Sequence, residues 1–296
     1  FKKYLFALVI LQGSLMSATI KHIETNGINV PVIFEKQKSL PILNLQLVFQ
    51  NSGYIQDKDE SGLASFSSKL LNEGTKELGS TAFAQKLEEN AISLHTSNGF
   101  ETFVIELSNL KDVSTKSIEL LSQLIKSPNY NKDTLSKLKT LITGELKRKE
   151  NDFDYTAKNL LKSKLFKGTA LANPGSGSLE SIKDINIKDI KTFINNTVNL
   201  NNLIIVAGGD FEYKEFKKLI NPILDVLKPG TKRELENINF VSKDEEETLI
   251  KETEQAYIYF GSSYKVTASD ENRYIAKVAS FILGGSGFGS RLMEEI

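Results

Sequence analysis

The chain has 296 residues, 40% of them apolar and 25% charged, the balance of an ordinary globular protein with room for two compact units. Lysine plus arginine (37) equals aspartate plus glutamate (37), so no net positive field draws a nucleic-acid backbone, and no nucleic-acid partner is expected. Cysteine is absent, which excludes disulfides, thiolate metal sites, a cysteine nucleophile and acylation of a lipoprotein cysteine.

Residues 1–18, FKKYLFALVILQGSLMSA, open with Lys2 and Lys3, continue with the apolar run Tyr4 to Leu11 and end in the small residues Ser14, Ser17 and Ala18. This is the order of a secretory signal peptide. A helix of that apolar length covers about 12 Å of a roughly 30 Å hydrocarbon core, too little to span it. Cleavage after Ala18, export to a bacterial periplasm and no membrane anchor after cleavage are the expectations.

Two strands are predicted around a short polar link, one with Val30, Val32 and Phe34 alternating and one with Leu43, Leu45, Leu47 and Val48. A helix follows the turn at Asp57 to Ser61, with Ser61 as its cap, Leu63, Phe66 and Leu70 on one face and a stop at Gly74. A second helix runs around Phe83 and Leu87. Asn98-Gly99 then signals a hairpin between strands Ile92 to Ser97 and Thr102 to Leu107, with Phe103, Ile105 and Leu107 facing the core.

Helical periodicity recurs near Val113 to Lys126, Lys132 to Glu150 and Tyr155 to Phe166. After the small-residue loop NPGSGS at 173–178, Asn186 caps a helix ending near Asn196, Leu203 to Ala207 reads as a strand, and a helix runs from about Tyr213 to Leu227. Pro229-Gly230 and the charged stretch to Glu247 mark a boundary. Beyond it come a strand at Gln255 to Gly261, a helix near Glu271 to Leu283, and LGGSGFGSRLMEEI. The order strand, link, helix, glycine at 43–74 repeats from Gln255 to Gly284. The expected fold is α+β: repeated two-layer sandwiches, mostly antiparallel sheets with helices on one face, the first at 19–232 and the start of a second, cut short, at 233–296.

Four blocks carry a resemblance: SGLASFSSKLLNEGT at 61–75, GELKRKEND at 144–152, SLESIKDINIKDIKTFINN with NLIIVAGGDF at 178–211, and FILGGSGFGSRLMEEI at 281–296. Together they resemble the insulinase or pitrilysin type of zinc peptidase, the family of the mitochondrial processing peptidase. Active members carry HxxEH on the first of these helices, because positions four apart share a face where two imidazoles grip one zinc while the glutamate takes a proton from its water. Here the matching positions hold Ser65, Ser68 and Lys69. The family's third ligand, a glutamate about 75 residues on, matches Glu145. One carboxylate cannot hold zinc alone. No catalytic residue and no metal are therefore expected on this chain.

Lys69 could reach Glu145 as counter-charge in place of the ion, or both could point into water. Ser65, Ser67 and Ser68 have no histidine partner and no GxSxG context, so no serine nucleophile is expected. Of the two histidines, His22 follows the leader, and His95 lies in a segment resembling the strand beside the family's substrate cleft; it reads either as a peptide contact or as a solvent-facing strand residue. The glycines Gly284, Gly285, Gly287 and Gly289 follow a helix and lack a GK[ST] ending, which argues against nucleotide. They resemble the substrate-handling loop of the processing peptidase's non-catalytic subunit, or are a helix stop. Family members place an arginine and a tyrosine shortly beyond this loop, past Ile296.

The resemblance implies a non-catalytic, substrate-binding or regulatory subunit that pairs with a zinc-competent homologous peptidase subunit, the zinc being on the partner and the substrate a peptide. The alternatives are a stand-alone peptide-binding or structural scaffold, and a peptidase using another site.

Overall fold

The computed structural model describes residues 18–235, 238, 241, 243–262, 266–267 and 269–295. The predicted leader at 1–18 lies, but for Ala18, outside the described residues. Six strands form one sheet: β1 (Thr19–Thr25), β2 (Ile28–Lys36), β3 (Ile42–Gln50), β4 (Ser93–Asn98), β5 (Thr102–Leu110) and β6 (Leu203–Gly209), in the spatial order β1-β2-β6-β3-β5-β4. All neighbours are antiparallel except β2 and β6. The helices in chain order are α1 (Leu63–Leu71), α2 (Gly79–Glu89), α3 (Ser114–Lys126), α4 (Lys132–Glu150), α5 (Phe153–Leu165), α6 (Leu179–Asp184), α7 (Ile187–Thr197), α8 (Tyr213–Leu219), α9 (Asn221–Val226), α10 (Arg273–Ser280) and α11 (Arg291–Glu295).

The period-two rule of a pleated strand sorts the sheet into a wet and a dry face. Leu43, Leu45, Leu47 and Phe49 of β3 are buried with Val30, Val32, Phe34, Phe103, Ile105, Leu107, Leu203 and Ile205, and the helices cover this side. Each such side chain removed from water contributes about 1.5–3 kcal/mol. The other side carries polar pairs, Ser108 Oγ to Asn44 at 2.7 Å and Gln46 to Glu106 at 3.0 Å. Val48 is on the half-exposed side, because alternation after Leu47 places Phe49 inward.

Several boundaries differ from the sequence expectation for local reasons. Strand β1 was not predicted; it pairs with β2 through Asn26-Gly27, both at positive φ (49° and 73°), the two-residue turn that asparagine-glycine favours. The two strands predicted around the polar link, β2 and β3, are separated in the sheet by β6, which comes from far downstream (Leu203–Gly209) and runs parallel to β2. The helix predicted over Tyr213 to Leu227 breaks at Ile220, because Pro222 has no N–H and its ring opposes a continuing helix. Asn186 caps α7 as predicted, its side chain accepting from Lys188 and Asp189 while Asp189 accepts from Asn186 N.

Beyond Pro229 the picture changes. Residues 255–261, predicted as a strand, have no regular structure: no ladder partner faces them among the described residues, and an unpaired strand leaves its backbone groups without bonds. This segment instead leans on α5, through Tyr259 to Asp154 (2.8 Å), the ring pair Phe153–Tyr257 and Leu161 and Leu165 against Gly261. The predicted helix at 271–283 is realised as α10, continuing into a wider turn at 281–285.

Candidate functional site: the helix at residues 63–71 and its surroundings

Helix α1 buries Leu63, Phe66, Leu70 and Leu71 and packs on α7, β4 and α4. Its start is not capped by Ser61. Gly62 is the N-cap residue at φ 90°, and its missing side chain makes room for Gly177, since a Cβ there would sit 2.7 Å from the Gly177 Cα. Ser61 Oγ donates to Pro174 O at 2.9 Å, tying the small-residue loop to this turn. The orphan N–H groups of the first turn are taken by Asp57, whose Oδ2 accepts from Gly62 N (2.9 Å) and Oδ1 from Ala64 N (2.8 Å). Asp57 is buried. Burial pushes its carboxyl up to about 7, Glu60 adding to the rise, against the pull of the two N–H groups and of Arg233.

The far end of α1 is fixed by Asn72. Its Oδ1 accepts from Thr96 N at 2.7 Å and its Nδ2 donates to Thr96 O at 2.9 Å. Strand β4 is the last of the sheet and bonds only to β5, so this amide closes the outer edge of β4 at Thr96 as a neighbouring strand would.

Between these anchors lie the positions of the lost zinc motif. Ser68 is buried; its Oγ is 2.9 Å from Ser65 O and 3.1 Å from Asn98 Oδ1, so its hydroxyl is engaged within the fold. Lys69 Nζ meets Glu145 Oε2 of α4 at 2.5 Å, with both side chains roughly two-fifths exposed (35% and 43%). The counter-charge arrangement is therefore the one adopted. The donor set does not fit zinc: the Ser65 hydroxyl and the Lys69 ammonium stand where two imidazoles are required, Ser68 stands in place of the glutamate, and the Glu145 carboxylate is taken by Lys69. Among the described residues no three His, Cys, Asp or Glu side chains cluster as a metal site.

Ser65 lines a cavity of about 400 Å³ with Asn98, Tyr54, Lys149, Lys158 and Lys162. Sequence reading did not bring these lysines together, since they come from two helices, α4 and α5, and share only the lining of this cavity. His95 is an exposed β4 residue on the wet face, opposite Glu106, and is not brought to this cavity. His22 of β1 pairs with Pro31 of β2 and is likewise exposed. Gly284 and Gly285 fold against Leu292 and Ser280, and no hydrogen bond among the described residues ties Gly284, Gly285, Gly287 or Gly289 to α1.

Comparison with known proteins gives the family. Residues 32–178 fit the family model "Insulinase (Peptidase family M16)" and residues 184–296 the model "Peptidase M16 inactive domain". The chain is 41% identical, over all of its length and 68% of the other's, to the "Non-peptidase homolog YmxG" of Helicobacter pylori. It is 21% identical over 245 residues, spanning 52% of the relative, to mitochondrial-processing peptidase subunit beta of Dictyostelium discoideum. The crystal structure of a peptidase M16 inactive domain from Pseudomonas fluorescens superposes with a TM-score of 0.76 at 22% identity, over 94% of this chain and 67% of that one. The chain belongs to the insulinase family, peptidase family M16, as a homologue that lacks the catalytic motif. It spans about two thirds of the first relative and about half of the second.

Proposed function

We propose that this chain is the non-catalytic subunit of an exported two-part insulinase-type peptidase, in which a zinc-competent homologue cleaves the peptide and this chain supplies part of the peptide-binding wall. One observation carries the reading: the helix that would hold the metal is intact and anchored at both ends, while its metal face carries Ser65, Ser68 and a Lys69–Glu145 ion pair. A non-peptidase role fits the likeness to a "Non-peptidase homolog", and a paired assembly fits the likeness to a processing-peptidase subunit. Export rests on the order of charge, apolar run and small residues at 1–18, and among the described residues no helix is long and apolar enough to cross a membrane. The unit boundary near Pro229, with 19–232 and 233–296 as first and second homologous units, belongs to the same reading.

The test is purification of the tagged full-length protein from its native compartment, followed by metal analysis of each separated subunit. Near-equal recovery with a zinc-bearing homologue is expected. Recovery alone would favour a stand-alone binding or scaffold role, and stoichiometric zinc on this chain would overturn the reading.

A further inference from the structure

The cavity beside Ser65 has a chemistry of its own. Lys149 closes the last turn of α4, one turn past Glu145, while Lys158 and Lys162 stand one turn apart on α5. All three line the cavity, no acidic side chain does, and none of the three has an ion-pair partner among the described residues. Other lysines of the unit do: Lys69, Lys111 and Lys137 each meet a carboxylate within 3.0 Å. Like charges four residues apart on a helix repel, and here part of the repulsion occurs away from water. Burial lowers the pKa of Lys162, and Lys158 lowers it further. Two of the ammonium groups rest on ring faces, Lys162 at 5.9 Å from the Tyr54 centroid and Lys149 at 5.2 Å from that of Tyr155.

The rest of the wall is preset and rich in neutral polar groups. Tyr155 is held by Ser176 (3.2 Å), and Asn159 donates to Tyr155 O (2.9 Å). Gly175 lets the loop lie against Tyr54, for a Cβ there would come within 2.7 Å of the ring. A concave site with converging unneutralised cations, flanked by hydroxyls and amides, is built for an anion of modest size. The ion pair of Lys69 with Glu145 removes the one carboxylate of the lost zinc motif from competition for those cations.

We propose that this cavity binds a carboxylate of a peptide, so that the chain selects acidic segments for the assembly. The proposal rests on the peptide-binding role above and adds to it the charge class of the ligand. A carboxylate could come from an aspartate or glutamate side chain or from a peptide's C-terminus, and both would meet the same three ammonium groups.

The experiment uses the full chain, alone and with its co-purified partner, and fluorescence anisotropy of labelled peptides in four forms: acidic with a free terminus, acidic with an amidated terminus, the Gln/Asn counterpart with a free terminus, and a lysine-rich control. Binding of acidic forms at least tenfold tighter than of the lysine-rich control, weakening steeply from low to physiological salt, is expected. The amidated and Gln/Asn forms separate the two carboxylate sources. The double variant Lys158→Gln, Lys162→Gln should lose about tenfold for acidic peptides, and Lys158→Arg, Lys162→Arg should restore most of it. Binding of both the acidic and the free-terminus Gln/Asn forms no tighter than of the lysine-rich control, or displacement by inorganic phosphate at the same concentration as peptide, would overturn the proposal. Either result would leave the two-subunit reading standing if the zinc-bearing partner still co-purifies, whereas absence of that partner would defeat the reading by itself.

Discussion

The two sides of α1 obey different rules. Toward the core, Phe66 and Leu70 are fully buried, the first turn is held by Asp57, and the last residue is followed by an asparagine that closes the sheet edge. Toward the cleft, the positions matched to the zinc motif hold Ser65, Ser68 and Lys69, and Lys69 pairs with Glu145 in partial contact with solvent. The frame that presents a metal thus depends on packing and backbone bonds, while the metal depended on side chains that the frame does not need. A chain can lose the second and keep the first.

The largest effect should come from the frame. Phe66→Ala deletes a ring with no exposed surface in the helix–sheet layer and is expected to cost about 3–5 kcal/mol of unfolding free energy. Chemical denaturation followed by far-ultraviolet circular dichroism would measure it, and a loss below 1 kcal/mol would show that α1 is not packed as described.

Next comes Asp57, whose effect is one of pH. Its carboxyl titrates near 7 in the folded chain and at its ordinary 3.8 when unfolded, so between those values the folded state holds a proton that the unfolded chain has released. Its contribution to stability is full below about pH 4, is lost as pH rises toward 7, and is level above that. The span corresponds to roughly 4 kcal/mol. Asp57→Asn, which cannot ionise and keeps one of the two N–H bonds, should flatten this dependence and gain on the native chain as pH rises. A native chain whose denaturation midpoint does not fall between pH 4 and 7 would refute the assignment.

How much of this was readable from residues alone follows the same division. Alternation in β2, β3 and β5 and three- and four-residue spacing in α3 and α4 gave those elements, because each pattern is local. The neighbour order of the sheet was not readable, since β6 enters between β2 and β3 by pairing across most of the chain. Asp57 escaped notice because its carboxylate reaches five and seven residues ahead around a glycine at φ 90°, where a local rule points to Ser61. Ser65, Ser68 and Lys69 were picked out by the resemblance of the block at 61–75 to the family, and the contact of Lys69 with Glu145 by inference from that resemblance. The lysine-lined cavity was not, because Lys149 and Lys162 look like ordinary wet faces until α4 and α5 turn them toward Tyr54 and Ser65. Gln255 to Gly261 has the composition of a strand, yet composition supplies no neighbour to bond with.

Asn72→Ala tests the link between frame and cleft. It removes two bonds to the backbone of Thr96, which is 2% exposed, and should cost about 1–3 kcal/mol. It also opens the outer edge of β4 to another strand, so faster hydrogen exchange at Thr96 is expected with it. Unchanged exchange would mean that the amide does not close the edge.

The smallest effect belongs to the pair that replaced the metal. Lys69 and Glu145 are each more than a third exposed, and charges so placed interact through water, with the entropy of two long side chains set against them. A double-mutant cycle of Lys69→Met and Glu145→Gln should therefore return a coupling of about 0–1 kcal/mol, smaller at high salt. The pair matters less for stability than for what it occupies: with Lys69 removed, Glu145 is released one helical turn from Lys149, and acidic-peptide binding should weaken although the fold does not. A Lys69→Met chain that binds such peptides as tightly as the native one would separate the ion pair from the cavity and leave it a surface contact only.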